Sequence, residues 1–260
     1  MSAAPVLTGY AGGVGWITFN RPEAMNAVDV PMAVAFRDAV RALNATPGIK
    51  VIVLTGAGRA FMAGGDLASF RRTDDKPGFA HELITPIHEA LVALAEGPAV
   101  SIASVGGAAA GAGMSVALAA DLCVAAENAS FTTAYAGVAA PGDCGITWAL
   151  PAMVGPRKAM ELMLLSPRLS AAEAAALGLV NHVVADDALE AETDRLAARL
   201  ARGPAFAMGQ IKALIRRPAA SYAAHLDAER AGFAACAGEA DFDEALAAFF
   251  ARRAPDFRAE

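Results

Sequence analysis

The spacing of hydrophobic residues up to about Leu150 predicts strands that alternate with helices. Short apolar runs bounded by turn residues are typical of buried strands, and apolar residues at every third or fourth position are typical of helices. The predicted strands are Val14 to Asn20, Val51 to Thr55, Ala99 to Val105 and Asp121 to Ala126. The predicted helices between them are Ala27 to Asn44, His81 to Ala95 and Met114 to Ala119. This alternation predicts βαβ connections and a largely parallel sheet.

Beyond about Leu150 the apolar spacing is helical throughout. The predicted helices are Arg157 to Leu165, Ser170 to Leu177, Asp187 to Ala201, Ala205 to Arg216, Ser221 to Ala235 and Glu239 to Arg252. Ser170 and Glu173 form a capping-box pattern. The sequence therefore predicts an α/β core followed by a helical region.

Composition and charge narrow the possible partners. Hydrophobic residues make up 56% of the chain and charged residues 18%, so it can bury a large core and keep apolar surface for subunit contacts. The formal net charge is −6. Because an acidic chain repels phosphate backbones, we expect no nucleic-acid partner.

An uncharged stretch from Gly97 to Ala120 meets the length of a membrane span, about 20 residues. It consists mainly of small residues and lacks flanking basic residues or an aromatic belt. A strand, a glycine-rich turn and a buried helix explain it better, so we expect no membrane span. The N-terminal Met1 to Tyr10 has no basic region and no long apolar run, so no signal peptide is predicted.

Cysteines and histidines give no sign of a metal or disulfide site. The cysteines Cys123, Cys144 and Cys236 form no CxxC pair, which indicates reduced thiols in a cytoplasmic protein. The histidines follow neither an HxxxH nor an HExxH pattern, so we expect no bound metal. They are His81, His88, His182 and His225.

Two glycine-rich turns are the first candidates for chemistry. One is Ala63-Gly64-Gly65-Asp66-Leu67, and the other runs from Gly106-Gly107 to Gly111-Ala112-Gly113, just before a predicted helix. A helix N-terminus presents free N–H groups, and small residues let a ligand oxygen approach them. If the turns lie close in space, they could form an oxyanion hole. Close packing of a helix on a sheet is the structural alternative for either turn alone.

The order of these motifs resembles the enoyl-CoA hydratase/isomerase, or crotonase, superfamily. The resemblance extends from about Val14 to the C-terminus. Its segments are Ile17-Thr18-Phe19-Asn20-Arg21-Pro22 with Asn26-Ala27, Val53-Leu54-Thr55-Gly56, Phe61 to Leu67, Ser104 to Asp121, Leu169-Ser170-Ala171 and Ala176-Leu177-Gly178-Leu179-Val180. Their combination is highly specific for the superfamily and poorly specific for the reaction.

The resemblance implies a crotonase-type α/β fold, in which a spiral of ββα turns over residues 1–195 precedes a helical trimerisation region over residues 196–260. It implies a homotrimer or hexamer that processes an acyl-CoA thioester and needs no cofactor beyond the coenzyme A of its substrate. The oxyanion amides would come from Gly65 and Ala112, although the family commonly has a third glycine where Ala112 stands. The expected substrate contacts are Ala63, Gly64, Gly65, Asp66, Leu67, Ala112 and Tyr135, with Arg21, Arg59 and Arg258 at the nucleotide end.

Some of these residues keep a structural alternative. Asp66 is also expected to cap or brace the first turn. Arg21 and Arg59 fit surface solvation equally well. Arg258 matches a basic position that reaches the adenine pocket in relatives.

The residues that carry catalysis in family hydratases are replaced in this chain. Ser115 and Tyr135 stand where those enzymes have two Glu residues. A Ser hydroxyl is a poor base near neutral pH. Tyr has a reference pKa of about 10, so it too is rarely ionised and rarely acts as a base. Hydration needs both a base and an acid, so the sequence predicts that the two-Glu mechanism is disabled.

A different carboxylate, Asp143, lies in the segment Pro141-Gly142-Asp143-Cys144-Gly145. This segment resembles a loop of the isomerase branches, in which an Asp or Glu shuttles one proton, although Gly142 separates the Pro from the acid here. The alternative is that Asp143 is the N-cap of a helix that begins near Gly145.

The leading hypothesis is therefore an enoyl-CoA isomerase of fatty acid metabolism, with Asp143 as its single base. An enoyl-CoA hydratase (a lyase) and a non-catalytic acyl-CoA-binding relative remain alternatives. A serine hydrolase that uses Ser115 comes third, since the sequence names no base for it.

Overall fold

The computed structural model describes residues 4–217 and 219–257, and this part of the chain contains two β-sheets and ten α-helices. The strands are β1 (Val6–Ala11), β2 (Val14–Phe19), β3 (Val51–Gly56), β4 (Ala60–Met62), β5 (Val100–Val105), β6 (Ala108–Ala110), β7 (Leu122–Ala126), β8 (Ser130–Thr132), β9 (Leu169–Ser170) and β10 (His182–Val184). The helices are α1 (Val30–Ala45), α2 (Leu67–Arg72), α3 (Lys76–Glu96), α4 (Ala112–Ala119), α5 (Ile146–Leu165), α6 (Ala171–Ala176), α7 (Leu189–Ala201), α8 (Ala205–Arg216), α9 (Tyr222–Ala237) and α10 (Ala240–Ala251).

The chain alternates between the two sheets. The larger sheet has the order β1-β2-β3-β5-β7-β10 and is parallel except for the β1–β2 pair. The smaller sheet has the order β4-β6-β8-β9. Each of β3, β5 and β7 is followed by one strand of the smaller sheet and then by a helix. This repeat confirms the predicted ββα spiral and the crotonase-type α/β fold.

The expectation that the chain is wholly helical after Leu150 is wrong. Strand β9 pairs with β8, and β10 pairs with β7, so both sheets end in strands from the last third. These strands, like β4, β6 and β8, contain two or three residues. Segments of this length are too short for a period of two to emerge from the sequence.

The central strands β3 and β5 of the larger sheet are buried on both faces. Successive side chains of a strand point to opposite faces, so Ile52 and Leu54 enter the main core while Val51 and Val53 pack with α7. Burial on both faces explains why β3 is a continuous apolar run. Helix α7 contributes Leu196 to the apolar cluster that contains Val51 and Val53.

The predicted boundary between residues 195 and 196 falls inside α7. Because α7 packs on the sheet through Leu196, Ala197 and Ala201, the part of the chain built around the sheets extends to at least Ala201. A division of the chain into two regions stays a prediction.

Side chains cap the first turns of several helices. Asp29 caps α1 by accepting from the N–H of Met32 at 2.9 Å. The predicted capping box of Ser170 and Glu173 is formed at the start of α6.

The uncharged stretch 97–120 folds into β5, β6 and α4. In the described part of the chain, no helix combines the length and the apolarity that crossing a membrane requires.

A buried ion cluster attaches α8 to the sheet. The Nζ atom of Lys212 lies 3.0 Å from Oδ2 of Asp121 and donates to the carbonyl oxygens of Leu94 and Ala99 at 2.6 and 2.7 Å. The Nε atom of Arg216 donates to Oδ1 of Asp121 at 2.7 Å. Burial tends to raise the pKa of the Asp121 carboxyl, but the charges of Lys212 and Arg216 outweigh it and leave that pKa below its ordinary value.

We expect Asp121→Asn to lower the free energy of unfolding by about 3–5 kcal/mol, because it leaves Lys212 buried without a counter-charge. Denaturant titration measures this loss. The matched control is Asp74→Asn, at an exposed position, which is expected to change stability by less than about 0.5 kcal/mol. Equal stabilities of the two variants would contradict the role of the cluster.

Wild type and Asp121→Asn can also be compared as a function of pH. Since the folded-state pKa of Asp121 is lowered, its contribution is complete above the unfolded-state pKa, about 3.9. It is lost as the pH falls through the lower folded-state value. The stability difference between wild type and Asp121→Asn is therefore expected to persist at neutral pH and to shrink below about pH 4.

Candidate functional site

The first glycine-rich turn is held by a short parallel bridge to the segment before α1. The N–H of Val28 donates to the carbonyl of Gly64 at 2.8 Å, and the N–H of Asp66 donates to the carbonyl of Val28 at 2.9 Å. A parallel bridge uses the peptide groups that flank the paired residue, here Gly65. The N–H of Gly65 itself therefore points away from Val28.

A buried asparagine fixes the strand that leads into this turn. Asn26 is fully buried, and its Nδ2 atom donates to the carbonyls of Ala57, Ala60 and Phe61 at 3.0, 2.7 and 3.2 Å. Its Oδ1 atom accepts from the N–H of Arg21 at 2.8 Å. Asn26 belongs to a segment that resembles the family, and these contacts show that it holds β4 in place.

Charged side chains brace the same turn. Asp66 caps α2 by accepting from the N–H groups of Ala68 and Ser69 at 3.0 and 3.3 Å, which confirms its predicted capping role. Arg21 lies 3.4 Å from Asp66 and 3.2 Å from Asp29. Burial tends to raise the pKa of Asp66, but the Ser69 N–H and the Arg21 charge lower it below its usual range.

The basic residues predicted at the nucleotide end are not gathered in one place by these contacts. Arg21 is engaged in the two ion pairs just described, and Arg59 is exposed. Arg258 lies outside the described residues. A role of the three in nucleotide binding stays a prediction.

The second glycine-rich turn starts α4 without a side-chain cap. Gly111 precedes the helix at φ 53°, a left-handed conformation that favours glycine. The first helical hydrogen bond is donated by the N–H of Ser115 to the carbonyl of Gly111 at 3.1 Å. Ala112 is the first helical residue, so its N–H has no acceptor within the helix.

The two turns are in backbone contact. A Cβ atom on Gly113 would lie 1.9 Å from the carbonyl oxygen of Met62, so any side chain at this position is excluded. A Cβ atom on Gly64 would lie 3.1 Å from the carbonyl oxygen of Ala110 and 3.8 Å from the nitrogen of Ala112. The fold thus brings together the two turns singled out in the sequence. Two N–H groups on adjacent turns can donate to one ligand oxygen.

The two positions occupied by Glu in family hydratases are also brought together. Ser115 Oγ lies 2.9 Å from the hydroxyl oxygen of Tyr135, and both residues are buried. The Tyr135 hydroxyl donates to the carbonyl oxygen of Asp143 at 3.2 Å. Tyr135 therefore connects the first turn of α4 to the loop that carries Asp143.

This hydroxyl pair is held in its neutral form. Burial is the main reason why the pKa of Tyr135 lies well above its ordinary value. The described partners of Ser115 Oγ are Tyr135 and the carbonyl of Gly111, and neither is a base. These contacts argue against the serine hydrolase alternative.

Asp143 forms an unpredicted pair with His88 of α3. Its Oδ1 atom lies 2.7 Å from Nε2 of His88 and accepts from the N–H of Cys144. The alternative role of Asp143 as a helix cap is wrong. Helix α5 begins at Ile146 with Gly145 as its N-cap residue, and no side-chain hydrogen bond caps its first turn.

Sequence reasoning missed His88 because nothing local marks it. It is one of four histidines, and it lies 55 positions from Asp143. Donor atoms of His88, Asp143 and Cys144 lie within 4.8 Å of one another, close enough to share an ion. Hydrogen bonding already accounts for the short distance between His88 and Asp143, and burial raises the pKa of the Cys144 thiol well above its ordinary value.

Comparison with known proteins agrees with this architecture. The chain is 36% identical over 257 residues to the 1,2-epoxyphenylacetyl-CoA isomerase of Escherichia coli K12, with 97% of each chain covered. It is 31% identical to the crotonyl-CoA hydratase of Syntrophomonas wolfei, with 92% of each covered. The crystal structure of an enoyl-CoA hydratase from Polaromonas sp. JS666 superposes with a TM-score of 0.91 at 33% identity, covering 97% of this chain and 99% of that one.

These relatives carry both isomerase and hydratase names, so they agree on a family and not on one reaction. The sequence model described as "Enoyl-CoA hydratase/isomerase" matches residues 9–260. Together with the ββα spiral and the two apposed glycine turns, this match establishes that the chain belongs to the enoyl-CoA hydratase/isomerase family.

Proposed function

We propose that the protein is an enoyl-CoA isomerase that moves a C=C bond with Asp143 as its base. The observation that carries this proposal is the buried hydrogen bond between Ser115 and Tyr135. These two residues occupy the positions where a hydratase of the family has carboxylates. The Tyr135 hydroxyl also donates to the backbone carbonyl of Asp143. A carboxylate that can accept a proton is thus present beside a pair of hydroxyls that cannot.

The proposed reaction needs one proton to leave and one to return. The N–H groups of Gly65 and Ala112 hold the thioester oxygen. Asp143 removes a proton from C2 of a 3-enoyl-CoA, and the C–H electron pair becomes part of a dienolate whose negative charge rests on that oxygen. The electrons then return, C4 takes the proton from Asp143, and the double bond lies between C2 and C3. No cofactor is required beyond the coenzyme A of the substrate.

The relatives support an acyl-CoA substrate and leave the reaction open. The Escherichia coli relative is named for isomerisation of an epoxide-bearing phenylacetyl-CoA, and the Syntrophomonas wolfei relative for hydration of crotonyl-CoA. Hydration remains the alternative reaction and acyl-CoA binding without turnover the alternative function. The absence of carboxyl groups at Ser115 and Tyr135 favours isomerisation over hydration.

We also propose a homotrimer or hexamer assembled through the late helices. Large apolar side chains remain exposed on them in the single chain, including Phe249 at 75%, Phe250 at 80% and Ile215 at 78%. Leu165 at the end of α5 is 75% exposed. Apolar surface of this kind marks sites of association.

Removal of either proposed oxyanion donor should lower kcat by about 10²–10³-fold. Ala112→Pro and Gly65→Pro each delete one N–H. Ala112→Pro is the clearer test of the two, because Ala112 is the first residue of α4, a position that accepts Pro without disrupting the helix. Steady-state isomerisation of a 3-enoyl-CoA measures the loss.

The matched control for the hole is Gly65→Ala, which keeps the N–H. A Cβ atom at Gly65 would approach no closer than 3.9 Å to Leu83, so this variant is expected to fold and to remain far more active than Gly65→Pro. Wild-type activity in a folded Ala112→Pro protein would show that this amide does not bind the oxygen.

Asp143→Asn should abolish most isomerisation and spare acyl-CoA binding. The amide keeps an oxygen that can accept from Cys144 but cannot take a proton from carbon, and general-base contributions are about 10²–10⁴-fold. The two rates to measure are isomerisation of a 3-enoyl-CoA and hydration of a 2-enoyl-CoA, with thermal melting recorded in parallel.

The exposed Asp187→Asn serves as the control for Asp143→Asn. Unchanged isomerisation by a folded Asp143→Asn protein would exclude the proposed base. Wild-type hydration without isomerisation would favour the hydratase alternative, and tight binding of enoyl-CoA without either reaction would favour the non-catalytic one.

Light scattering should give three or six times the mass of one chain at micromolar concentration. Replacing Phe249 and Phe250 together by Glu should shift the mass downwards, because burying two charges in an apolar interface is costly. Leu7→Glu on strand β1 is the control and should leave the mass unchanged. A monomeric wild type would rule out the assembly.

A further inference from the structure

We propose that His88 is a positioning and proton-relay residue that connects Asp143 with solvent, so that the hydrogen moved along the substrate exchanges with water. This inference rests on the isomerase function proposed above. The side chain of Asp143 is 19% exposed, whereas that of His88 is 52% exposed, and Nε2 of His88 lies 2.7 Å from Oδ1 of Asp143. The imidazole thus lies between a mostly buried carboxylate and bulk water.

The other groups around Asp143 are poor carriers of a proton. The Tyr135 hydroxyl meets the backbone carbonyl of Asp143, and burial keeps it neutral. The Cys144 thiol is buried as well, and its pKa is raised. Imidazole is the side chain that ordinarily gains and loses protons close to neutral pH. Among the described contacts of Asp143, His88 is therefore the one suited to proton exchange.

The hydrogen bonds also orient the carboxylate. Both the His88 contact and the Cys144 N–H bond use Oδ1. Oδ2 accepts neither, and it is the oxygen that we assign to the substrate. The terminal torsion of Asp has a broad, roughly twofold profile. Rotation about the Cβ–Cγ bond therefore interchanges the two oxygens and brings a proton gained at Oδ2 within reach of Nε2.

The relay is balanced in protons and needs water alone. While the dienolate is held by the backbone amides, the exposed imidazole moves its single proton from Nε2 to Nδ1 by exchange with water, and the carboxylic acid of Asp143 then passes its proton to the freed Nε2. This leaves a carboxylate and an imidazolium. The imidazolium releases that proton to water, takes another from water, and returns it through Asp143 to C4. The product then carries a solvent hydrogen in place of the one removed from C2.

The test is the isomerisation of a 3-enoyl-CoA in D2O, with deuterium in the product measured by mass spectrometry at low conversion. Wild type is expected to incorporate solvent deuterium at C4. His88→Gln keeps a polar group near Asp143 but cannot form a cation, and it should reduce deuterium per turnover severalfold. The matched control, His81→Gln on the same helix, should incorporate as wild type does.

Rescue separates proton transfer from a structural role. His88→Ala leaves an exposed gap beside Asp143, and added imidazole should restore deuterium incorporation in this variant. It should leave the His81→Gln control unchanged. A role confined to packing would not respond to imidazole.

Two results would overturn the relay while leaving the isomerase intact. One is a wild-type product without solvent deuterium, and the other is wild-type incorporation by a folded His88→Gln protein. If wild type moves no double bond, the proposed function fails. The relay is then judged by exchange of the C2 hydrogens of a saturated acyl-CoA in D2O. That exchange should occur in wild type and fall severalfold in His88→Gln, and no exchange, or equal exchange, would refute it.

Discussion

The site depends on a backbone contact between strand β4 and the first turn of α4. Gly113 presses against the carbonyl of Met62 so closely that no Cβ atom fits between them. Strand β4 is also held by Asn26, which donates to the carbonyls of Ala60 and Phe61 within the strand and of Ala57 before it. Without this approach, the N–H groups of Gly65 and Ala112 would belong to two unrelated loops. The geometry of the proposed oxyanion hole is therefore a consequence of close packing, so the packing and functional interpretations of the glycines are compatible.

The chemistry on this scaffold is decided by a few side chains. Ser115 and Tyr135 share a buried hydrogen bond where carboxylates stand in family hydratases. Their role is structural, because they connect α4 to the backbone of the Asp143 loop. In our proposals, the proton-carrying function is displaced to Asp143 and to its partner His88. A conserved scaffold with altered chemistry is the general behaviour of folds that host many reactions.

Helix α8 is attached to the core by charge as well as by apolar contact. Asp121 lies between α4 and β7, and its two cationic partners lie on α8. Lys212 is buried and also donates to the carbonyls of Leu94 in the last turns of α3 and of Ala99 just before β5. Breaking such a cluster is costly because the remaining charge stays buried. The late helices thus expose apolar side chains while α8 stays fixed to the sheets.

Sequence patterns missed strand β1. By themselves they determined strands β2, β3, β5 and β7, nearly all helices, the capping box of Ser170 and Glu173, and the two glycine turns. All of these depend on residues close together in the chain, so that periodicity and capping residues can be recognised in the sequence. The two- and three-residue strands of the smaller sheet and the pairing of His88 with Asp143 were decided by tertiary structure. A short strand exists because its neighbours supply hydrogen bonds, and a contact across 55 positions leaves no local trace. For the same reason the sequence offered Asp143 as base or cap, and only the folded chain showed its carboxylate turned towards a histidine.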